Sequence, residues 1–326
     1  MKYRRSIAIL TAVSLLLSGC SISKKQENQT YTDTLFDTVI KIQILDSVDT
    51  EVLEGCKELC QKYDTMFSNR NEDSEISKIN NAKGKPVKVS EETLTLIETG
   101  IYYSELSDGA FDITISPVSL LWDFKSANPS VPSADKIEEA VSHVNYQNII
   151  IEGNTVQLTD PQAGIDVGAL AKGYIADCLK EYLLEEGVKH ALINLGGNVL
   201  AVGSKTDGSD YNIGIQKPFD ETGEPITAVK ISDESVVTSG IYQRYFEQDH
   251  TLYHHILDPR TGYPCENNLY SVSIITDSSL TADALSTTCF LLGYEKGMEL
   301  INQLDDVDAV FITDDENIHY SDNFQN

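Results

Sequence analysis

The stretch AGIDVGALAKGYIADCL, Ala163 to Leu179, is where the fold has to be decided. An apolar lead-in ends at Asp166, Gly168 and Gly173 bracket Lys172, and a helical pattern follows through Ile175, Cys178, Leu179 and Leu183. A glycine turn that feeds a helix start can present backbone N–H groups to an anion. The Walker A spacing is absent, however, and so is the three-glycine dinucleotide fingerprint. The turn resembles a phosphate cradle without being a standard one, so its surroundings must settle the architecture.

On its N-terminal side, residues 34–45 alternate with period two and read as a strand. Val52, Leu53, Cys56, Leu59, Cys60, Tyr63, Met66 and Phe67 recur at helical intervals over 50–67. Ser74 opens a short helix in SEISKINN, and Ser90 caps a longer one to about Leu106, stopped at Asp108-Gly109. Residues 132–144 form another capped helix, and 148–158 a hairpin turning at Gly153-Asn154. On the C-terminal side come strand-like runs at 190–202, 211–216, 226–238, 252–257 and 269–276. Helices at 280–292 and 295–304 follow, then strands in DAVFIT and NIHY. Hairpin-like succession with interspersed helices predicts an α+β fold with mixed or antiparallel sheets and packed helices, not a doubly wound parallel one.

Lys2, Arg4 and Arg5 precede the apolar run SIAILTAVSLLL, and LSGC closes it at Cys20. This pattern reads as a secretory signal over residues 1–19, too short for a comfortable membrane span. Ser18 and Gly19 before the cysteine resemble the bacterial lipobox, in which Cys20 is acylated and holds the protein to a membrane surface. The polar residues that follow, to about 32, suit a tether, and 33–326 reads as one globular unit.

The chain carries a formal charge of −27, and loss of residues 1–19 removes positive charge only. This argues against nucleic acid and anionic lipid as partners, because both need a basic footprint. An anionic ligand needs a local cation or focused N–H groups. Cys56, Cys60, Cys178, Cys265 and Cys289 contain no C-x-x-C pair and describe neither a disulfide framework nor a zinc site.

Five segments look more specific than packing requires. In DGAFDITISPVSLLWDF (108–124), Phe111 and Trp122 offer flat surfaces for a ring; the competing reading is a turn before a core strand. The stretch 163–179 is the second. NLGGNVLAVG (194–203) has a Gly-Gly pair suited to backbone approach to a ligand or another strand. In 238–264, Thr238, Ser239 and Gly240 can donate hydroxyl and N–H groups, and His254 and His255 point to opposite faces, so only one faces a site. A histidine there is a natural proton carrier for a hydroxyl. In SLTADALSTTCFLLG (279–293), Asp283 and Thr287 share a helical face. Hard oxygens of this kind fit Mg2+, which takes its other ligands from water and phosphates.

In this order, DGAFDITISP, DVGALAKGYIAD, NLGGN, TSGIYQRYF with YHHILDPRTGYP, and ADALSTTCFLLG resemble the FAD:protein FMN transferases, the ApbE family of flavin-transferring lipoproteins, from about Thr34 onward. The resemblance implies a T-fold-like α+β architecture. It also implies Mg2+-dependent cleavage of the FAD pyrophosphate, with FMN passing to a Thr or Ser hydroxyl of an exported flavoprotein and AMP leaving. By the same resemblance Asp283, Thr287 and the Ala169 carbonyl are the metal ligands, with Ser286 a further candidate. FAD contacts fall to Phe36, Ala110, Phe111, Asp112, Asp166, Lys172 and Leu257, and His255 assists the hydroxyl or orients the pyrophosphate. Arg70 stands where many relatives carry an aromatic residue and could stack on the flavin. Asn80 lies near the place where some relatives switch between transfer and FAD hydrolysis. An acceptor motif of the D-G-x-T-G-A-T type is absent, so the acceptor is expected to be a separate protein. Two other readings are an FAD pyrophosphatase and a non-catalytic flavin-binding lipoprotein on the outer face of the cytoplasmic membrane.

Overall fold

The structure is a computed structural model that describes residues 28–124, 126–220 and 222–324. The signal segment and Cys20 lie outside the described residues. Among the described residues no helix is long and apolar enough to cross a membrane.

The chain runs through β1 (Gln29–Leu35), β2 (Thr38–Ile44), α1 (Thr50–Phe67), α2 (Glu75–Asn80) and the short β3 (Val87–Lys88). Then come α3 (Glu91–Leu106), α4 (Ser116–Trp122), α5 (Ala134–Val141) and the hairpin of β4 (Ile149–Glu152) and β5 (Thr155–Leu158). The stretch quoted first becomes a turn and α6 (Ala171–Glu185), followed by β6 (Ala191–Leu195) and β7 (Asn198–Val202). Next are β8 (Tyr211–Gln216), β9 (Pro225–Ile231), β10 (Ser235–Gly240), β11 (Tyr245–Gln248) and β12 (Thr251–His254). β13 (Leu269–Thr276), α7 (Ser279–Leu292), α8 (Tyr294–Ile301), β14 (Asp308–Thr313) and β15 (Ile318–Tyr320) follow.

Eight strands form one antiparallel sheet in the order β1-β2-β6-β7-β10-β13-β14-β15. Its central strands are covered on both faces, which explains their nearly unbroken apolar sequences. Leu200, Val202, Val237, Val272, Ile274 and Phe311 face the helical layer built by α1, α3, α6, α7 and α8. Their alternates Ala201, Val236, Ile275, Val310 and Ile312 face the β8–β9 hairpin through Tyr211, Ile215, Val229 and Ile231. Two-face burial with strictly antiparallel pairing is the α+β arrangement expected.

Three expected runs divide. The strand at 34–45 is two strands, because Phe36 and Asp37 take left-handed φ values of 53° and 59° and reverse the chain. Such a turn normally selects Asn-Gly or Asp-Gly, and Phe-Asp gives no such signal. The run at 190–202 turns at Gly196-Gly197, where a Cβ on Gly196 would lie 2.2 Å from Thr38 Oγ1; the glycine pair thus serves approach to another strand. The run at 226–238 breaks at Asp233, and Tyr245–Gln248 adds a strand that was not expected. Within 108–124 the chain forms α4 rather than a core strand, with Pro117 in its first turn. Ser74 and Ser90 cap α2 and α3 as expected, accepting from Ser77 N–H at 2.9 Å and Thr93 N–H at 3.2 Å. The thiols of Cys56, Cys60, Cys178, Cys265 and Cys289 are all free.

α6 approaches the start of α7 backbone to backbone, and Gly173 makes this possible. A Cβ at Gly173 would stand 2.3 Å from the Ser279 carbonyl oxygen and 2.7 Å from Leu280 Cα. Both are backbone atoms and cannot swing aside. Alanine favours a helix over glycine by about 1 kcal/mol, while forced overpacking costs about 1–3 kcal/mol. The clash therefore wins. Gly173→Ala is expected to lower Tm by several degrees in thermal denaturation, and an unchanged or higher Tm would refute the close-approach account.

Candidate active site

A cleft of about 920 Å3 opens between the β1–β2 tip, the end of α1, α4, the 166–172 turn, the β6–β7 turn, the segment after β10, and α7. Its volume lies at the upper end of small-molecule pockets and suits a dinucleotide-sized ligand.

The 166–172 turn is held rigidly. Asn80 clamps the residue before it, donating Nδ2–H to the Ile165 carbonyl at 2.9 Å and accepting Ile165 N–H at 2.7 Å. Asp166 then accepts from Gly168 N–H, Asn69 Nδ2 and Ser119 Oγ, each at 2.9 Å. Three elements are thereby pinned to one carboxylate. Asp166 lines the cleft, but its oxygens are occupied by protein donors.

Across the cleft, Asp283 is 2 % exposed. Its Oδ2 accepts Gly173 N–H at 2.9 Å, and its Oδ1 lies 3.5 Å from Lys172 Nζ. The amide four residues after Ala169 thus goes to a carboxylate on the neighbouring helix. Thr287 Oγ1 lies 3.0 Å from Ser239 Oγ on the same wall. Among the described residues no three His, Cys, Asp or Glu side chains converge as a ligand set. Asp283, Thr287 and the Ala169 segment nevertheless border one cleft. One carboxylate with hydroxyl and carbonyl oxygens fits Mg2+ only if water and ligand phosphates complete the shell.

The two histidines divide as expected. His254 is 5 % exposed; its Nε2–H donates to the Cys265 carbonyl at 3.2 Å and its Nδ1 accepts Ile256 N–H at 3.3 Å. Burial pushes its pKa down to about 4. His255 lines the cleft, and its Nδ1–H donates to the Arg244 carbonyl at 3.2 Å, which leaves Nε2 as an acceptor. Desolvation first, then the Arg244 guanidinium, lowers its pKa to about 3, so the ring is neutral.

Phe36, Arg70, Phe111, Asp112, Asp166, Ala169, Lys172, His255, Leu257, Asp283 and Thr287 all line this cleft. Ala110, Ser286 and Asn80 are not among its lining residues. Ser286 is fully buried, its hydroxyl donating to the Asp283 carbonyl at 2.9 Å. Asp112 is nearly buried and serves the chain itself, accepting from Thr114 and from Tyr146 N–H. Burial raises its pKa. Arg70 is bonded to Asp123 at 2.9 Å on the rim. Trp122 is excluded as a ring platform: it is buried, with Nε1–H donating to the Gly262 carbonyl at 2.7 Å. Sequence reasoning missed Asn69, Ser119 and Arg244. The first two carry no local signal, since their partner is distant in the chain; Arg244 was visible as the single basic residue in TSGIYQRYF.

The ApbE family profile matches residues 36–311. An FAD:protein FMN transferase of Klebsiella pneumoniae is 38 % identical over 291 residues, covering 88 % of this chain and 90 % of that protein. One of Treponema pallidum is 31 % identical over 335 residues, covering 97 % and 92 %. The crystal structure of the ApbE protein of Thermotoga maritima superposes with a TM-score of 0.84 at 32 % identity, covering 91 % of this chain and 97 % of that one. The flavin transferase ApbE of Vibrio cholerae gives 0.80 at 28 %, covering 90 % and 96 %.

His254 makes stability depend on pH in a defined direction. Its folded pKa of about 4 lies below the ordinary 6.5, so the folded state favours the neutral ring. The contribution is intact above 6.5 and is lost as pH falls toward 4, because the unfolded chain then binds the proton first. Between pH 7 and pH 5 the loss from this residue is about 2 kcal/mol. His254→Gln keeps an amide donor without a titrating group. Urea unfolding of both proteins at the two pH values is expected to show a shallower fall in the variant; equal falls would refute the assignment.

Proposed function

The chain belongs to the ApbE family, and on that premise we propose that it is an FAD:protein FMN transferase. The acceptor is a Thr or Ser hydroxyl of a separate exported flavoprotein. That hydroxyl oxygen attacks the phosphorus nearer riboflavin, the bond from that phosphorus to the bridging oxygen breaks, and AMP leaves with the electron pair. The hydroxyl proton passes to His255 Nε2, the ring nitrogen left free by the Nδ1–H bond to Arg244. This free nitrogen, open to the same cleft as Lys172, Asp283 and Thr287, is the observation that carries the reading.

Asp283 Oδ1, Thr287 Oγ1 and the Ala169 carbonyl would hold Mg2+. When bound, the ion supplies the positive charge that a pyrophosphate needs in its transition state. Lys172 places a second cation beside Asp283, and Phe36 and Phe111 offer apolar cover for a flavin ring. Cys20 as a lipidated residue would fix the enzyme to the extracytoplasmic face of the cell membrane, where exported acceptors are found.

The test is a mass spectrum of an acceptor flavoprotein fragment after incubation with residues 21–326, FAD and Mg2+, with AMP followed in the same tube. The expected result is a gain of one FMN unit with matching AMP, abolished by EDTA. AMP and free FMN in equal amounts without acceptor would make the protein a pyrophosphatase. FAD bound with neither product would make it a binding protein. Asp283→Asn keeps an oxygen for Gly173 N–H while removing the charge. It is expected to hold Tm within a few degrees and reduce transfer by about 100-fold or more; transfer at the wild-type rate would refute the metal assignment.

A further inference from the structure

Among the described residues, five carboxylates, of Asp37, Asp64, Asp112, Asp166 and Asp283, border the cleft, with three cations, Arg70, Lys172 and Arg244. Arg70 is bonded to Asp123, and Lys172 lies beside Asp283. Arg244 differs from both. Among the described residues it makes no ion pair, and its guanidinium donates one hydrogen bond, from Nη2 to the Asp37 carbonyl at 3.1 Å. A neutral carbonyl is an easily exchanged partner for a group that carries five donors in a planar fork.

Arg244 is also placed beside the reactive histidine. The β11–β12 ladder ends at the Tyr245–His254 pair, and Arg244 and His255 extend it by one step. The Arg244 carbonyl accepts both the His255 N–H, at 3.1 Å, and its Nδ1–H, at 3.2 Å. The guanidinium and the imidazole are thus mounted on opposed residues of one hairpin and face one cleft. An arginine fork matches the paired oxygens of a phosphate better than an ammonium does.

We infer that Arg244 binds the diphosphate of the substrate, its guanidinium taking the phosphate oxygens next to the phosphorus that His255 serves. The inference rests on the FAD reading of the cleft and adds to it the residue that recognises the anion. It also explains how a protein of charge −27 accepts an anionic ligand: one cation is held ready with no carboxylate partner among the described residues. Because the same guanidinium touches the Phe36–Asp37 tip, a purely structural role has to be separated from anion binding.

The experiment titrates FAD, riboflavin and inorganic pyrophosphate into residues 21–326 in metal-free buffer with EDTA, for the wild type, Arg244→Gln and Arg244→Lys. Flavins are followed by fluorescence and pyrophosphate by calorimetry. Arg244→Gln is expected to weaken FAD and pyrophosphate by about tenfold or more while riboflavin changes by less than about twofold, with Arg244→Lys between. Equal losses for FAD and riboflavin would overturn the inference and make Arg244 a support for the hairpin tip. Wild-type-like binding of all three by both variants would overturn it too. Arg244-dependent pyrophosphate binding by a wild type that ignores FAD would uphold the anion site and sink the FAD reading instead.

Discussion

Two carboxylates cap each other's helices, and the site exists only because they do. Asp177 of α6 accepts Ser279 N–H at 2.8 Å, Leu280 N–H at 2.9 Å and Ser278 Oγ at 3.1 Å, which satisfies the start of α7. Asp283 of α7 returns the favour, accepting Gly173 N–H from the start of α6. Orphan amides at helix starts are donors with a favourable dipole for negative charge. Hydrogen bonds to a charged group contribute about 1.5–3 kcal/mol each. Burial still raises the Asp177 pKa, so desolvation outweighs the bonds in that respect. The arrangement has a functional consequence. One oxygen of Asp283 is fixed by the fold, and the other is left at the cleft beside Lys172.

The sheet supplies the opposite wall through a second constraint, the reversal at Phe36-Asp37. A phenylalanine at positive φ is rare and costs of order 1–3 kcal/mol. Three contacts hold it: Phe36 N–H donates to Asp64 Oδ1 at 2.8 Å, Arg244 donates to the Asp37 carbonyl, and Thr38 packs on Gly196. Each comes from a different part of the chain. A tighter hairpin of ordinary turn residues would carry no aromatic side chain to this place. The strain is therefore best understood as the cost of setting Phe36 on the rim of the cleft.

How much of this was legible follows from the range of each interaction. Caps at Ser74 and Ser90, the amphipathic α1 and the antiparallel β4–β5 hairpin depend on neighbours in sequence and were readable. The division of 34–45 was not, because alternation continues through a two-residue reversal and the usual Asn-Gly signal is absent. In the site, Asp283 and Thr287 stood in a motif whose chemistry made poor sense as packing, whereas Lys172 and His255 took their roles from the family resemblance. Ser286 stood in the same motif and is buried, its hydroxyl taken up by the Asp283 carbonyl and lying 2.8 Å from Ser239 Oγ, and no spacing in the sequence separates it from Thr287. Asp166 shows the remaining limit. Its three protein donors come from Asn69, Ser119 and Gly168, two of them remote, and no local pattern announces them.

The charge of the protein and the charge of its ligand are reconciled by distance. At physiological ionic strength exposed charges are screened over about 8 Å, so the acidic outer surface contributes little inside a cleft of this size. What matters there is the immediate set of groups, and these are arranged by partner. The Asp166 and Asp112 carboxylates are occupied by protein donors, which spreads their charge over N–H and O–H dipoles. Asp283 keeps one oxygen at the cleft, where it faces the Lys172 ammonium and is suited to a cation. Lys172 and Arg244 place positive charge next to it and next to His255. A neutral imidazole with a committed Nδ1–H then presents a lone pair rather than a further positive charge. An anion entering this cleft offsets the Arg244 charge, which is a lesser effect than burial among those that lower the His255 pKa; burial, the largest, remains.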